Sequence, residues 1–237
     1  IEDNKPDCIE KMRALVKDKP RIEVKELQTK YPQGGERTLI YAVTGREINS
    51  SMLPADVGCI VDNVETVVDI YQAVAAGRPV ISRIITVTGN AVAHPGNFSV
   101  LTGTCMKELT EAAGGLSDGT AKVISGGPMM GFAMYDLNVP CVKTTSAFLC
   151  LEHDQVSEAK MTACINCGRC VKVCPGHVLP ARLATLAERG DMAGFEKMDG
   201  MECCECGCCS YVCPAKRPLT QSIKSMRKMV LASRRKK

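Results

Sequence analysis

The chain is poor in aromatic residues, which make up only 4% of its 237 residues, and no recognised nucleic-acid-binding motif accompanies its basic side chains. Without stacking residues or a docking motif, a nucleic-acid partner is not expected. An uninterrupted apolar run of about 18 residues, the length a membrane-crossing helix needs, is also missing. The most apolar stretch, residues 71 to 92, is broken by Arg78 and Arg83. Nothing resembles a secretory signal, and the cysteine total of 15 is odd, so a disulfide framework is not expected. Acidic residues are absent after Glu205, where Lys216, Arg217, Lys224, Arg227, Lys228, Arg234, Arg235, Lys236 and Lys237 follow. Against a net charge of only +4, this C-terminal stretch is a basic arm. It suits an anionic membrane face or an acidic partner, or is simply a solvated helix end.

Cysteine is abundant, and its pattern is the most informative feature present. Cys164, Cys167, Cys170 and Cys174 precede Pro175, and Cys203, Cys206, Cys209 and Cys213 precede Pro214 with the same spacing. Three cysteines at steps of three let one tight loop wrap three corners of a four-iron cage, and the fourth thiolate must come from elsewhere. In twin arrangements the last cysteine of each run serves the neighbouring cage. The spacing therefore predicts two [4Fe-4S] clusters, one on Cys164, Cys167, Cys170 and Cys213, the other on Cys203, Cys206, Cys209 and Cys174. Such crossed ligation brings the centres close together, which suits relaying single electrons. Gly168 and Gly207 allow close backbone approach to each cage, and Pro175 and Pro214 end each ligand segment. Zinc also takes Cys-x-x-Cys pairs, but its four ligands would leave the third cysteine of each set surplus. Cys204 and Cys208 break the period and are expected to be bystanders. Cys8, Cys59, Cys105, Cys141 and Cys150 stand alone and read as small hydrophobes. Lys172, Lys216, Arg217 and His177 lie near ligands in sequence, with solvation as their ordinary role. Abundant free thiols imply a reducing compartment, the cytoplasm.

Elsewhere the chain alternates between helical and extended patterns. Ile9, Met12, Leu15 and Val16 share one helical face; residues 20 to 26 read as a strand; Leu39, Ile40 and Val43 belong to a helix after a turn at Tyr31 to Glu36. Asn63 is a plausible N-cap for a helix from Val64 to about Ala75, with Val67, Ile70, Tyr71 and Val74 expected inward. Strands at Ile84 to Val87, Phe98 to Leu101 and Lys122 to Ser125, with a helix from Met106 to Ala113, suggest a small β-grasp unit. The stretch Gly126 to Gly131 fits neither nucleotide-loop spacing and reads as turns. Between the cysteine sets, Leu179, Leu183, Leu186 and Ala187 keep helical spacing up to Gly190, followed by a short helix with Phe195. Ile223, Met226 and Val230 form the face of a closing helix.

The run Cys-Glu-Cys-Gly-Cys-Cys-Ser-Tyr-Val-Cys-Pro at 204 to 214 resembles the C subunit of the Rnf electron-transport complex. Tyr31-Pro-Gln-Gly-Gly-Glu36 and Asp62-Asn-Val-Glu-Thr66 look like parts of the flavin-binding domain that the Rnf protein shares with the NADH-oxidising subunit of respiratory complex I. Residues 81 to about 131 resemble that family's β-grasp domain of the soluble-ligand-binding type. The resemblance implies FMN as a cofactor between NADH and the iron-sulfur centres, because nicotinamide moves two electrons at once and a cluster takes one. It carries over Tyr31, Gly34, Gly35, Glu36, Asp62, Asn63 and Thr66 as flavin neighbours. From the residues alone, the preferred reading is that Gly34 and Gly35 make a turn and Asn63 caps a helix. The family also has a glycine-rich phosphate loop and an acidic stretch ahead of the point where this chain begins, so an incomplete flavin site is expected.

The expected fold class is α+β and multidomain. Residues 1–80 would form a partial α/β flavin-binding domain, residues 81–150 a small β-grasp domain and linker, and residues 151–237 an α-helical dicluster ferredoxin-like domain with a basic tail. The implied function is electron transfer between NADH/FMN and iron-sulfur centres as a subunit of a membrane-bound NAD:ferredoxin oxidoreductase, peripheral on the cytoplasmic face. Its implied partners are the other subunits, NADH, and ferredoxin indirectly. A soluble flavin and iron-sulfur cobalamin reductase and a structural or regulatory iron-sulfur module are the alternatives.

Overall fold

Pro6 stands in the first turn of α1 (Pro6–Val16), where its missing N–H is no loss and its fixed φ favours the helix. Only Ile9 of the anticipated face is buried, while Met12 and Leu15 are exposed. The computed structural model describes residues 1–128 and 131–235; Met129 and Met130 of the glycine-rich stretch, and Lys236 and Lys237 of the basic arm, lie outside the described residues. The strand expected at residues 20 to 26 does not form. Just beyond it Leu27 pairs in an isolated bridge to Glu2, and among the described residues no neighbouring strand offers a ladder. α2 (Glu36–Thr44) follows the glycine turn and stops at Gly45, whose φ of 72° closes the helix.

Helix α3 (Val64–Ala76) starts where expected: the Asn63 side-chain oxygen accepts a hydrogen bond from the Glu65 N–H at 2.9 Å. Its orientation, however, is the reverse of the expected one. Tyr71 is 69% and Val74 83% exposed, and Val67 and Ile70 are exposed too. The inward face is the acidic one. Glu65 and Asp69, one turn apart, pair with Arg83 at 3.1 and 2.7 Å, and Glu65 also accepts the Ile84 N–H at 2.6 Å. Those half-buried pairs fix the helix rotation against strand β1 (Ser82–Thr88), and the apolar stripe is left outward.

Strand β1 pairs antiparallel with β2 (Gly96–Leu101) and parallel with β5 (Ala147–Leu151). Helix α4 (Met106–Ala112) lies in the crossover between β2 and β3 (Lys122–Ser125). β3 pairs antiparallel with β5 and with β4 (Phe132–Met134), giving among the described residues one five-stranded sheet of order β2-β1-β5-β3-β4. Period-two alternation sends Ile85 and Val87 inward and Ile84 outward. Phe148 and Cys150 fill the centre beneath Met106 and Leu109. Each large apolar side chain buried this way contributes about 1.5–3 kcal/mol.

After α5 (Gln155–Glu158) the chain is helical: α6 (Arg169–Lys172), α7 (Pro180–Glu188), α8 (Met192–Lys197), α9 (Cys208–Tyr211) and α10 (Leu219–Arg235). Leu183, Phe195, Ile223, Met226 and Val230 form its core, as their helical spacing predicts. The structure is thus mixed α+β, a sheet module joined to a helical cysteine-bearing module. Among the described residues, no helix is long and apolar enough to cross a membrane.

Candidate metal centre

The two cysteine segments are built as one backbone used twice. Asn166, Gly168 and His177 take positive φ values of 53°, 72° and 50° in the first segment; Glu205, Gly207 and Lys216, at equivalent places in the second, take 57°, 82° and 51°. Gly168 and Gly207 precede the short helices α6 and α9 as left-handed caps, which turns the chain sharply between the second and third cysteines. Glycine adopts that conformation at no steric cost. Asparagine tolerates it, whereas glutamate ordinarily does not. Glu205 is held by Arg227, with which it forms an ion pair, and by Lys224 at 3.5 Å, both on α10.

Cys164, Cys167 and Cys170 line a cavity of about 150 Å³, and the fourth cysteine on its wall is Cys213, from the other segment. Pro214, Ala215 and Leu219 complete its apolar lining. In the second group, Cys203 is buried in the helical core with Cys174 packed against that core. Cys209 is buried and Cys206 half-buried, and Cys206 shares a cleft with Cys174. The Thr220 hydroxyl lies 3.3 Å from the Cys209 sulfur and also accepts from Ser210 at 3.0 Å. Among the described residues, no three His, Cys, Asp or Glu side chains gather closely enough to hold one ion. A single zinc draws its thiolates to one point at about 2.3 Å, while a four-iron cage holds one at each separate corner. Four thiols spaced around an apolar hollow fit the cage.

Burial raises the Cys203 thiol to about 11. The Cys204 thiol is raised further, first by its hydrogen bond with Cys206 and then by burial, and burial also raises Cys209. Ligation requires thiolates, so metal uptake here must displace protons. The first segment is different in surroundings: Cys164 and Cys167 are exposed, and Cys170 is half-buried.

The flavin-neighbour residues divide. Tyr31 is exposed, yet its hydroxyl donates to the Cys206 carbonyl, and burial followed by the nearby Cys206, Cys208 and Cys204 thiols raises its ionisation. Gly34 has open space around it, and Glu36 lies exposed in the first turn of α2. Asp62 and Asn63 are exposed and Thr66 half-buried, with the Asn63 oxygen already used as the α3 cap. Among the described residues, no hydrogen bond joins Tyr31, Gly34, Gly35 and Glu36 to Asp62, Asn63 and Thr66, and of the seven Tyr31 alone lines the cleft beside Cys206. The Gln33 side-chain oxygen beside them is buried without a partner.

Three contacts escaped the sequence reading. Arg37 pairs with Glu202 at 3.0 Å, and the Ser50 N–H donates to both Glu202 oxygens at 3.0 and 2.9 Å. The Glu205 pairing with α10 is the third. No local motif marks partners this far apart in sequence. The basic arm is also less free than its composition implies, since Arg217 pairs with Glu188 at 2.5 Å and Arg234 with Glu196 at 2.7 Å.

Residues 1–72 match the Nuo51 FMN-binding domain, residues 84–133 the SLBB domain, and residues 163–216 a 4Fe-4S dicluster domain. Over the whole chain, the protein is 42% identical to the C subunit of the Na(+)-translocating ferredoxin:NAD(+) oxidoreductase complex of Acetobacterium woodii, covering 53% of that protein. It is 45% identical over 80% of the chain to the proton-translocating counterpart of Clostridium ljungdahlii, and 43% identical over 77% to the C subunit of the ion-translocating oxidoreductase complex of Pseudomonas aeruginosa. These matches cover 41% and 24% of those two relatives. The chain belongs to this family of Rnf C subunits. It spans about half the length, or less, of these relatives. The dicluster match coincides with the two cysteine segments, and the FMN-type match ends within α3.

Proposed function

We propose that this chain is the electron-transfer portion of a membrane-associated, ion-translocating NAD:ferredoxin oxidoreductase, peripheral on the cytoplasmic face. It would work with NADH, with FMN and with the other subunits, and reach ferredoxin indirectly. The carrying observation is the cavity walled by Cys164, Cys167, Cys170 and Cys213 together, an arrangement that only two interlaced ligand segments provide. We assign one [4Fe-4S] centre to those four residues and a second to Cys203, Cys206, Cys209 and Cys174. When bound, such centres supply one-electron redox chemistry.

The chain's own residues hold, space and insulate the ligands. Gly168 and Gly207 turn each loop inward, Leu183 and Ile223 exclude water from the core between the two segments, and Thr220 offers a hydroxyl to one ligand sulfur. Tyr31, Gly34, Gly35, Glu36, Asp62, Asn63 and Thr66 would line part of an FMN site, where the glycines allow close backbone approach and Asn63 and Thr66 offer hydrogen bonds. The organisation proposed is a partial flavin domain at 1–80, a β-grasp domain at 81–150, and the dicluster domain at 151–237. The relatives' names and the FMN-type match support the reading. The test is iron and sulfide quantification with EPR on anaerobically prepared protein. About eight irons per chain and spin coupling between reduced centres are expected; zinc with no labile sulfide would overturn it.

A further inference from the structure

The repeat of the two cysteine segments runs on into the helix that follows each. The matching positive-φ residues end at His177 and Lys216, and α7 and α10 then begin at Pro180 and Leu219, equally far along. Position by position, Ser210 and Thr220 in the second segment therefore stand where Val171 and Ala181 stand in the first. The chemistry differs there. The Thr220 N–H donates to the Ser210 Oγ at 2.9 Å, and the Ser210 hydroxyl donates to the Thr220 Oγ1 at 3.0 Å. With those partners assigned, the proton of the Thr220 hydroxyl is left for the Cys209 sulfur, 3.3 Å away. A ligating cysteine is a thiolate and only accepts, so the direction of that bond is fixed. Val171 and Ala181 instead line the hollow around Cys170 with hydrocarbon. In the same loop the Cys164 sulfur meets the side-chain oxygen of Asn166 at 3.7 Å, an atom with no proton to give.

Resting on the proposed function, we infer that Thr220 raises the reduction potential of the centre placed on Cys203, Cys206, Cys209 and Cys174, and that Ser210 is the positioning residue that aims its hydroxyl. One-electron reduction adds a negative charge to such a centre and breaks no bond. A donor already pointed at a ligand sulfur stabilises the added charge, and hydrogen bonds to the sulfurs are among the influences that set cluster potentials. The closed pair of bonds between Ser210 and Thr220 fixes the hydroxyl rotor, so the donor needs no reorganisation when the charge arrives. Both residues are half-buried, which limits competition from water. The exposure of Cys164 and Cys167 acts on the first centre separately, because solvent also shifts cluster potentials. The hydroxyl is therefore read as a shift within the second centre, not as a ranking of the two.

The test is a dithionite titration followed by EPR on the full chain, prepared anaerobically with its iron-sulfur centres, with Cys174→Ser and Cys213→Ser proteins to assign the two signals. Thr220→Val keeps the shape of the side chain and removes the hydroxyl. It should lower the midpoint of the second centre by about 59 mV, a tenfold change in the one-electron equilibrium, and leave the first centre's midpoint and the iron content unchanged. Thr220→Ser, which keeps the donor, should recover most of that shift, and Ser210→Ala should lower the same midpoint by less. In D2O, ENDOR at the second centre should show an exchangeable deuteron that Thr220→Val lacks. Should Thr220→Val lose iron, Ser210→Ala decides, since it leaves Thr220 and every ligand in place. An unmoved second midpoint in the iron-retaining variants, or equal shifts in both centres, would overturn the inference alone. An unaltered chain that holds no reversibly reducible iron-sulfur centre would overturn the proposed function with it.

Discussion

The two cysteine segments share a backbone and differ in almost everything around it. Positive-φ residues, glycine caps and short helices recur at equivalent places, so the local chain dictates how three thiols face one hollow. The surroundings do not repeat. The first loop is open, with Cys164 and Cys167 at the surface. The second is buried against the helical core and clamped by Glu205 to α10 and by Glu202 to the FMN-type segment. The turn of each loop is therefore a property of its own sequence, and its burial a property of what packs against it.

The strongest way to break this comparison is through the exchanged ligands. Cys213→Ser should remove the centre seated on the 164–170 loop, and Cys174→Ser the one on the 203–209 loop, each costing about four irons. EPR and iron counts on anaerobic protein read this directly. Loss of the local centre in each case would mean that the segments are independent. Next in size is chelation: an iron chelator should strip the exposed first loop well before the buried second. The check is which of the two EPR signals decays first, and equal rates would erase the asymmetry that burial implies.

Both loops were legible because their signal is local and repeated. The same holds for β3, α4, α7 and α10, where period or punctuation sets the element and tertiary context merely accepts it. β5 carries no alternation in sequence: Ala147 to Leu151 is a continuous apolar run, although only Phe148 and Cys150 are fully buried, and it went unread. The strand expected at residues 20 to 26 had alternation but no partner, showing that a pattern without a ladder is not a sheet. α3 is the instructive failure. Its apolar stripe predicted the inward face, and two ion pairs to Arg83 turned it outward, a choice made by a residue beyond the helix. In the site, the repeat of the cysteine segments was readable and the backbone repeats with it, whereas Glu202, Arg37 and Ser50 were not, because a clamp between distant segments leaves no mark in either one.

A further set of substitutions sharpens the contrast in stability. Arg227→Ala leaves Glu205, only 12% exposed, with Lys224 as its remaining partner and still in a left-handed conformation. Thermal unfolding should show a loss of about 2 kcal/mol, with Asn166→Ala in the open loop costing less. Glu205→Gly should cost less than Glu205→Ala, since glycine relieves the φ of 57° that alanine would retain. By contrast, Gly168→Ala and Gly207→Ala should cost the same, about 1–2 kcal/mol each. Their φ values are alike, and no atom lies within 4 Å of an added methyl at either place. Unequal losses there would show that the shared backbone is not equally strained.

The smallest expected effect is a pH dependence confined to the clamped loop. Burial, the largest influence on Glu202, raises its ionisation, but the hydrogen bonds from Ser50 and the charge of Arg37 outweigh it and hold the carboxyl below its usual 4.5. A depressed carboxyl contributes stability that is fully present above the unfolded value and lost as pH falls through the folded one. The clamp should therefore persist at neutral pH and release only in acid below 4.5. Hydrogen exchange over residues 202–209 should rise there before exchange over 164–170 does. In Arg37→Ala, which removes one of the lowering influences, the same release should begin at higher pH. If both loops loosen together, or if the substitution leaves the onset where it was, Glu202 does not govern the contact.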